Sequence, residues 1–229
     1  RTSLISSNRS LILFDCDGTL TNSHGAIVRA MQQAFAAAGL QEPSEGAVNR
    51  VIGLSLKKAI SMLLHEELHM ESPLYQQITQ AYRDYYRLAE NGIDLFPDVV
   101  NTLEELRCRG YWLGVVTGKS RAGLLRVFEA FDLQDLFYVW RTADCTHSKP
   151  HPAMVLECMQ ELGVTAEKTT VVGDACFDMQ MAVAAGVRAL GVSFGVSSAD
   201  ELIQAGADGV VNDFTDVPVH FPPLQDRLG

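Results

Sequence analysis

The chain should fold as an α/β protein: a doubly wound, Rossmann-like parallel sheet interrupted after its first strand by a helical insertion. Three observations predict this. Short, mostly apolar runs recur at residues 11–14, 112–116, 137–139, 170–172, 189–192 and 210–211, and runs without polar alternation suit strands buried on both faces. From residue 95 onward these runs alternate with amphipathic segments, the rhythm of a parallel sheet with helices on both sides. Between residues 24 and 92 no convincing strand occurs, only helical spacing. The expected division is therefore a core of residues 1–22 and 95–229, with an insertion over 23–94.

The first strand carries the densest signal. Leu11-Ile12-Leu13-Phe14 stops abruptly on Asp15-Cys16-Asp17-Gly18-Thr19. Side chains two apart on an extended chain share a face, and two carboxylates about 4 Å apart repel by about 4 kcal/mol at an effective dielectric of about 20. Packing gains nothing from such a pair. A divalent cation with hard oxygen ligands, such as Mg²⁺, offsets the repulsion. Cys16 should point away from the two acids and serve packing.

In the insertion, Ala26, Ile27, Ala30, Met31, Ala34, Phe35 and Ala38 recur at helical spacing, and Gly39 suits the helix end. A second helical pattern covers residues 56–68. A third covers 73–88, with Pro73 near its start and Gly92 past its end. An excursion of about seventy residues between two strands is far longer than ordinary connections and calls for a functional reason.

Ligands of open α/β sheets sit at the carboxyl ends of the strands, so each strand exit matters. The second strand ends in Thr117-Gly118-Lys119-Ser120 before a helix, where a hydroxyl and free N–H groups make a phosphate cradle; a purely structural Thr is the alternative. The strand at 170–172 ends in Gly173-Asp174-Ala175-Cys176-Phe177-Asp178. Its two carboxylates at a strand-to-helix switch strengthen the metal reading, although Asp178 also suits a helix start for electrostatic reasons alone. Ser148-Lys149-Pro150-His151-Pro152 is held extended by its prolines. Lys149 is either a solvated lysine or, beside four acids, a fixed cation facing a phosphoryl group.

Composition narrows the partners. The 229 residues are 47% hydrophobic with a formal net charge of −10. That is ample for a sizeable core and adverse to a nucleic-acid phosphate backbone. No apolar stretch approaches membrane-span length. Five cysteines form no C-x-x-C pair, and residues 1–10 lack a signal-peptide core, so a reducing, cytoplasmic location is expected.

Taken in order, Asp15-x-Asp17-Gly-Thr, Thr117, Lys149-Pro and Gly173-Asp174-x-x-x-Asp178 resemble the four motifs of the haloacid dehalogenase superfamily. Residues 95–99 (Leu-Phe-Pro-Asp-Val), 115–120, 52–56 (Ile-Gly-Leu-Ser-Leu), Phe194-Gly195 and Gly206-Ala207-Asp208 look like its phosphoglycolate phosphatase branch. The resemblance implies that residues 24–92 form a mobile helical cap. It implies an aspartyl-phosphate on Asp15, with Asp17 as general acid and then base. Mg²⁺ would be held by Asp15, the backbone carbonyl of Asp17 and Asp174, with Asp178 ligating or orienting. Thr117 and the Gly118 N–H would take phosphoryl oxygens, and Lys149 would balance charge in the transition state. The partner would be a small phosphorylated metabolite, 2-phosphoglycolate being the leading choice, and the protein a monomer or homodimer. Arg50 and Lys57, with Lys58, are either a solvated face or the part of the cap that recognises the substrate's anionic end.

Three positions depart from the family pattern: Ala175 where Ser or Thr is usual, Asn22 where Asp is common, and Gly118 where Asn is common. They bear on substrate, not on reaction class. A β-phosphoglucomutase-like mutase is the enzymatic alternative, and a silent phosphate-ligand-binding relative the non-enzymatic one. A phosphonate hydrolase would want a lysine early in the insertion, and residues 23–41 contain none. His65-Glu66-Glu67-Leu68-His69, with Glu90 downstream, matches the zinc-protease pattern H-E-x-x-H, but on an amphipathic helix it reads as a solvated face.

Overall fold

The structure, a computed structural model, describes residues 9–66 and 69–224. Among these residues, six parallel strands form one sheet: β1 (Leu11–Phe14), β2 (Trp112–Thr117), β3 (Val139–Thr142), β4 (Thr169–Gly173), β5 (Arg188–Val192) and β6 (Gly209–Val211). Their spatial order is β3-β2-β1-β4-β5-β6. The chain leaves β1 toward β2 and β3, then returns to β4 on the other side, so the winding reverses at β1. A ligand crevice is expected at that point.

The central strands are apolar throughout because both faces are covered. Ile12 and Phe14 join a cluster with Val99, Leu103, Leu124, Phe128 and Phe214. Leu11 and Leu13 join another with Met154, Val155, Met179, Ala182 and Leu202. The first cluster belongs to helices α5 (Val99–Cys108) and α6 (Arg121–Phe131), and the second to α7 (Ala153–Leu162), α8 (Cys176–Ala185) and α9 (Ala199–Gln204), reckoning labels in chain order.

The preceding four helices lie between β1 and α5: α1 (His24–Ala37), α2 (Glu45–Asn49), α3 (Leu56–Leu64) and α4 (Pro73–Glu90). They share their own apolar cluster, in which Met31, Ala34, Phe35, Ile60 and Ile78 are buried. At its base the chain is clasped. The Asn22 N–H donates to the Asp94 carbonyl at 2.8 Å, the Phe96 N–H donates to the Leu20 carbonyl at 2.9 Å, and Thr21 and Leu95 form an antiparallel bridge.

Three details differ from the expectations. The third strand is Val139–Thr142 rather than 137–139: it is the sheet's edge, and an edge strand tolerates the polar Arg141 and Thr142 that ended the apolar run. Helix α2 was not expected; its five residues bury only Val48, too little for a periodic signal, and Ser44 caps it by accepting the Ala47 N–H at 3.2 Å. Helix α3 stops at Leu64, because His65 adopts a left-handed conformation with φ of 55°. His65 and His69 therefore do not stand one turn apart on a helix. Glu67 and Leu68 lie outside the described residues, and Glu90 is bound to Arg126 by two contacts of 2.9 and 3.1 Å.

Candidate active site

Register brings the predicted residues together. Phe14 pairs with Val115 on one side and Val172 on the other. Asp15 thus stands level with Gly173, and Thr117 and Asp174 follow just beyond on the flanking strands. The Asp15 N–H still bonds the Val172 carbonyl at 2.9 Å, after which the chain turns through Gly18 at φ of 82°.

Three carboxylates converge. Asp15, Asp174 and Asp178 each offer an oxygen within 4.8 Å of the others, and all are buried, as are Thr117 and Lys149. Lys149 Nζ bridges two of them, at 2.8 Å from Asp15 Oδ1 and 2.6 Å from Asp178 Oδ1. Asp15 Oδ1 also accepts the Cys16 N–H at 2.7 Å. Asp174 accepts from the Thr19 hydroxyl and the Val196 N–H, each at 2.9 Å. Asp178 Oδ2 accepts the Ala175 N–H at 3.0 Å. A Cβ on Gly18 or Gly195 would collide with the Asp174 carboxylate, so glycine at both places is what lets the backbone close on it.

Asp15 Oδ2 is the exception: it is buried without a hydrogen-bond partner among the described residues. A bare carboxylate oxygen in a dry site is costly unless something else takes its charge. The cost shows in the proton affinities. Burial, then the Asp178 charge, raises the Asp15 carboxyl well above its usual range against the pull of Lys149. Burial and Asp178 push Asp174 up to about 7. Burial disfavours the Lys149 ammonium, but Asp15 and Asp178 outweigh it and hold the charge in place. Three buried carboxylates at this spacing, with the Lys149 ammonium bonded to only two of them, fit a hard divalent cation such as Mg²⁺.

Asp17 is placed differently. Its carboxylate is not among the three that converge. Oδ1 accepts from Ser23 Oγ at 2.7 Å and from Lys119 Nζ at 2.8 Å, and Oδ2 lies 3.0 Å from the same ammonium. The shared-face expectation for Asp15 and Asp17 therefore does not hold for their side chains: strand geometry ends at Phe14, and the charge of Asp17 is met by a lysine. Burial opposes the Lys119 charge, yet Asp17 overcomes it and raises its proton affinity well above the ordinary value.

These pieces decide the family. A family model described as haloacid dehalogenase-like hydrolase matches residues 12–192. The chain is a haloacid dehalogenase-like hydrolase. Relatives of this hydrolase include the protein of Dickeya dadantii (strain 3937) named "Probable phosphatase IndB", 34% identical over 216 residues that cover 91% of this chain and 92% of the relative. The phosphoglycolate phosphatase of Yersinia pestis is 29% identical over 221 residues, 94% of this chain and 95% of its own. Among solved structures, a predicted phosphoglycolate phosphatase from Haemophilus somnus 129pt superposes with a TM-score of 0.81 at 27% identity, covering 93% of this chain and 97% of that one. A hydrolase from Pseudomonas syringae gives 0.83 at 26%, with the same coverage.

The remaining predicted residues of the hydrolase lie as follows. Thr117 Oγ1 accepts the Lys119 N–H at 3.2 Å, which leaves its own proton to donate. Gly118 lies under the insertion: a Cβ there would stand 2.5 Å from the Leu54 carbonyl oxygen and 2.6 Å from that of Gly53. The Ser55 N–H donates to Ser148 Oγ at 3.0 Å, and Lys58 Nζ reaches the Ser148 and Lys149 carbonyls at 3.4 and 3.3 Å. Residues 53–55 thus form a lid over Gly118 and Ser148. Arg50 and Lys57 are exposed. They line a cavity of about 2150 Å³ beside the lid, which reaches Ser148, Ala175 and Cys176 but none of the four motif aspartates. Cys16 is fully buried in the core, as its packing role requires.

Sequence reasoning noticed Lys119 for its backbone and missed its side chain. Tyr86 was missed altogether, although its hydroxyl takes the same ammonium at 2.9 Å. Nothing in the local pattern of α4 singles out one of its four tyrosines.

Proposed function

We propose that this hydrolase is a Mg²⁺-dependent phosphomonoesterase acting on a small phosphorylated metabolite, 2-phosphoglycolate being the best single choice. The observation that carries the reading is the orphaned Asp15 Oδ2, buried beside Lys149 and two further carboxylates. A nucleophile needs a free oxygen, and this is the oxygen that the fold leaves free. The phosphatase names of the relatives from Dickeya dadantii and Yersinia pestis support the same chemistry.

In this mechanism Asp15 Oδ2 attacks phosphorus in line and the ester oxygen departs with a proton supplied through Asp17. A water then attacks the aspartyl-phosphate, Asp17 takes its proton, and the Asp15 carboxylate is restored. The Thr117 hydroxyl and Gly118 N–H would hold phosphoryl oxygens, while Lys149 fixes Asp15 and offsets transition-state charge. Asp15, Asp174 and Asp178, with the Asp17 backbone carbonyl, would hold Mg²⁺, which when bound supplies charge neutralisation at the phosphoryl oxygens. Residues 23–94 would act as a cap over a core of 1–22 and 95–229, a division supported by their separate apolar cluster and the clasp beneath it. Arg50 and Lys57 would meet the anionic end of substrate entering by the adjoining cavity. The setting would be cytoplasmic, with no nucleic-acid or membrane partner. No described helix is long and apolar enough to cross a membrane.

One observation favours a second reading. The lid leaves the catalytic groups buried, and exclusion of water is what a sugar-phosphate mutase needs to retain the phosphoryl group.

The test is phosphate release from phosphoglycolate, sugar phosphates, nucleotides and pyrophosphate, with Mg²⁺ and then with chelator, beside Asp15→Asn. Release that requires the metal and vanishes in the variant is expected. Equal activity in excess chelator would overturn the mechanism, and phosphoryl transfer between sugar positions without release would establish the mutase.

A further inference from the structure

Within the described site, the reaction above leaves one buried cation without a task. Lys119 Nζ contacts both Asp17 oxygens and the Tyr86 hydroxyl, at 2.8, 3.0 and 2.9 Å. The Tyr86 ring also faces it, 4.8 Å from the centroid. An ammonium has three N–H donors, and these contacts occupy all three. None remains for a substrate anion, so Lys119 acts through Asp17. Ser23 Oγ adds a fourth contact to the mount at 2.7 Å. The side chains of Lys119 and Asp17 are only 8% and 14% exposed, so water competes little for these bonds.

The mount has two anchors. Lys119 follows the end of β2 and is fixed to the sheet. Tyr86 belongs to α4, on the far side of the clasp, and α4 is tied down again by the Glu90–Arg126 pair. Both Asp17 oxygens are held by the mount, so Lys119 and Ser23 set where that side chain can meet a proton in the second half-reaction.

We infer that Lys119, backed by Tyr86, is the positioning residue that aims the Asp17 carboxylate at the water hydrolysing the aspartyl-phosphate, and that α4 thereby couples seating of the insertion to that step. The inference rests on the phosphatase reading proposed above. In the step concerned, a water oxygen bonds to phosphorus and the bond from phosphorus to the Asp15 oxygen breaks. Its electron pair returns to Asp15, and the water proton passes to Asp17. A carboxylate displaced by about an ångström accepts that proton poorly, whereas the attack by Asp15 on a substrate whose leaving group needs no proton is untouched. Without the mount, phosphoenzyme should accumulate.

The experiment compares wild type, Lys119→Met and Tyr86→Phe with Mg²⁺ and p-nitrophenyl phosphate, whose nitrophenolate departs without a proton. Rapid mixing and acid quenching give the nitrophenolate burst and the phosphate bound covalently to protein. Lys119→Met should lower kcat by about tenfold or more, lower KM with it, and raise the covalently phosphorylated fraction above that of wild type. Tyr86→Phe should do the same to a smaller degree. A fall in kcat with no rise in phosphoenzyme would reduce the lysine to a structural role and overturn the inference, as would unchanged kinetics in both variants. If Lys119→Met does not fold, Tyr86→Phe, which removes one oxygen atom, decides the matter alone. Failure of the phosphatase reading looks different: wild type itself would release no nitrophenolate with Mg²⁺.

Discussion

Asp174 makes the cost of this site measurable. Its carboxyl, pushed up to about 7 by burial and by Asp178, binds a proton in the folded state at pH values where the unfolded chain has lost it. A folded state that binds more protons than the unfolded one loses stability as pH rises. Metal-free protein should therefore melt at progressively lower temperature as pH increases from the usual carboxylate range, near 4, through about 7. Melting curves in chelator check this, and a flat profile over that window would contradict it. Gly118 makes a second claim at the same scale. A methyl group there would meet the Gly53 and Leu54 carbonyls, so Gly118→Ala should lift the lid, speed hydrogen exchange at the Ser55 amide and reduce turnover. The glycine at position 118 thus has a structural counterpart in the approach of the lid. What the sequence made legible here were groups next to one another on the chain or at strand exits. The Tyr86–Lys119–Asp17 contact joins three distant segments, and no local spacing announces it.

At the scale of elements, the insertion stands on its own packing. Helices α1 and α4 bury Met31, Ala34, Phe35, Tyr75 and Ile78 against each other's surroundings, and Ile78 is completely buried. Ile78→Ala should cost about 2–5 kcal/mol in chemical denaturation. Because Ile78 lies in the helical cluster, the loss should loosen the Tyr86 mount before it disturbs the sheet, visible as early hydrogen exchange confined to residues 24–92. Apolar periodicity made α1 and α4 legible over most of their length, and apolar runs did so for five of the six strands. It failed where burial is one-sided or slight: at the edge strand β3, in the short α2, and at the end of α3, where His65 takes a backbone conformation that no periodicity encodes.

For the molecule as a whole, a cation held by the converging carboxylates, as proposed, would make folding and metal binding support one another. A cation bound only by the native state stabilises it by RT ln(1 + [L]/Kd), about 2.7 kcal/mol at a hundred times Kd. Mg²⁺ should raise the melting temperature of the wild type, and Asp174→Asn should blunt the rise; a rise that the variant keeps in full would place the ion elsewhere. The clasp beneath the insertion has a different meaning at this scale. Asn22 and Asp94 are hydrogen-bonded neighbours, so to the sheet the long excursion between them has no length at all. Whatever is spliced between those two residues, the β1 register and the position of Asp15 are set from below. Evolution, or a protein engineer, could exchange the insertion at that joint while Asp15, Lys149 and Asp174 stayed where they are.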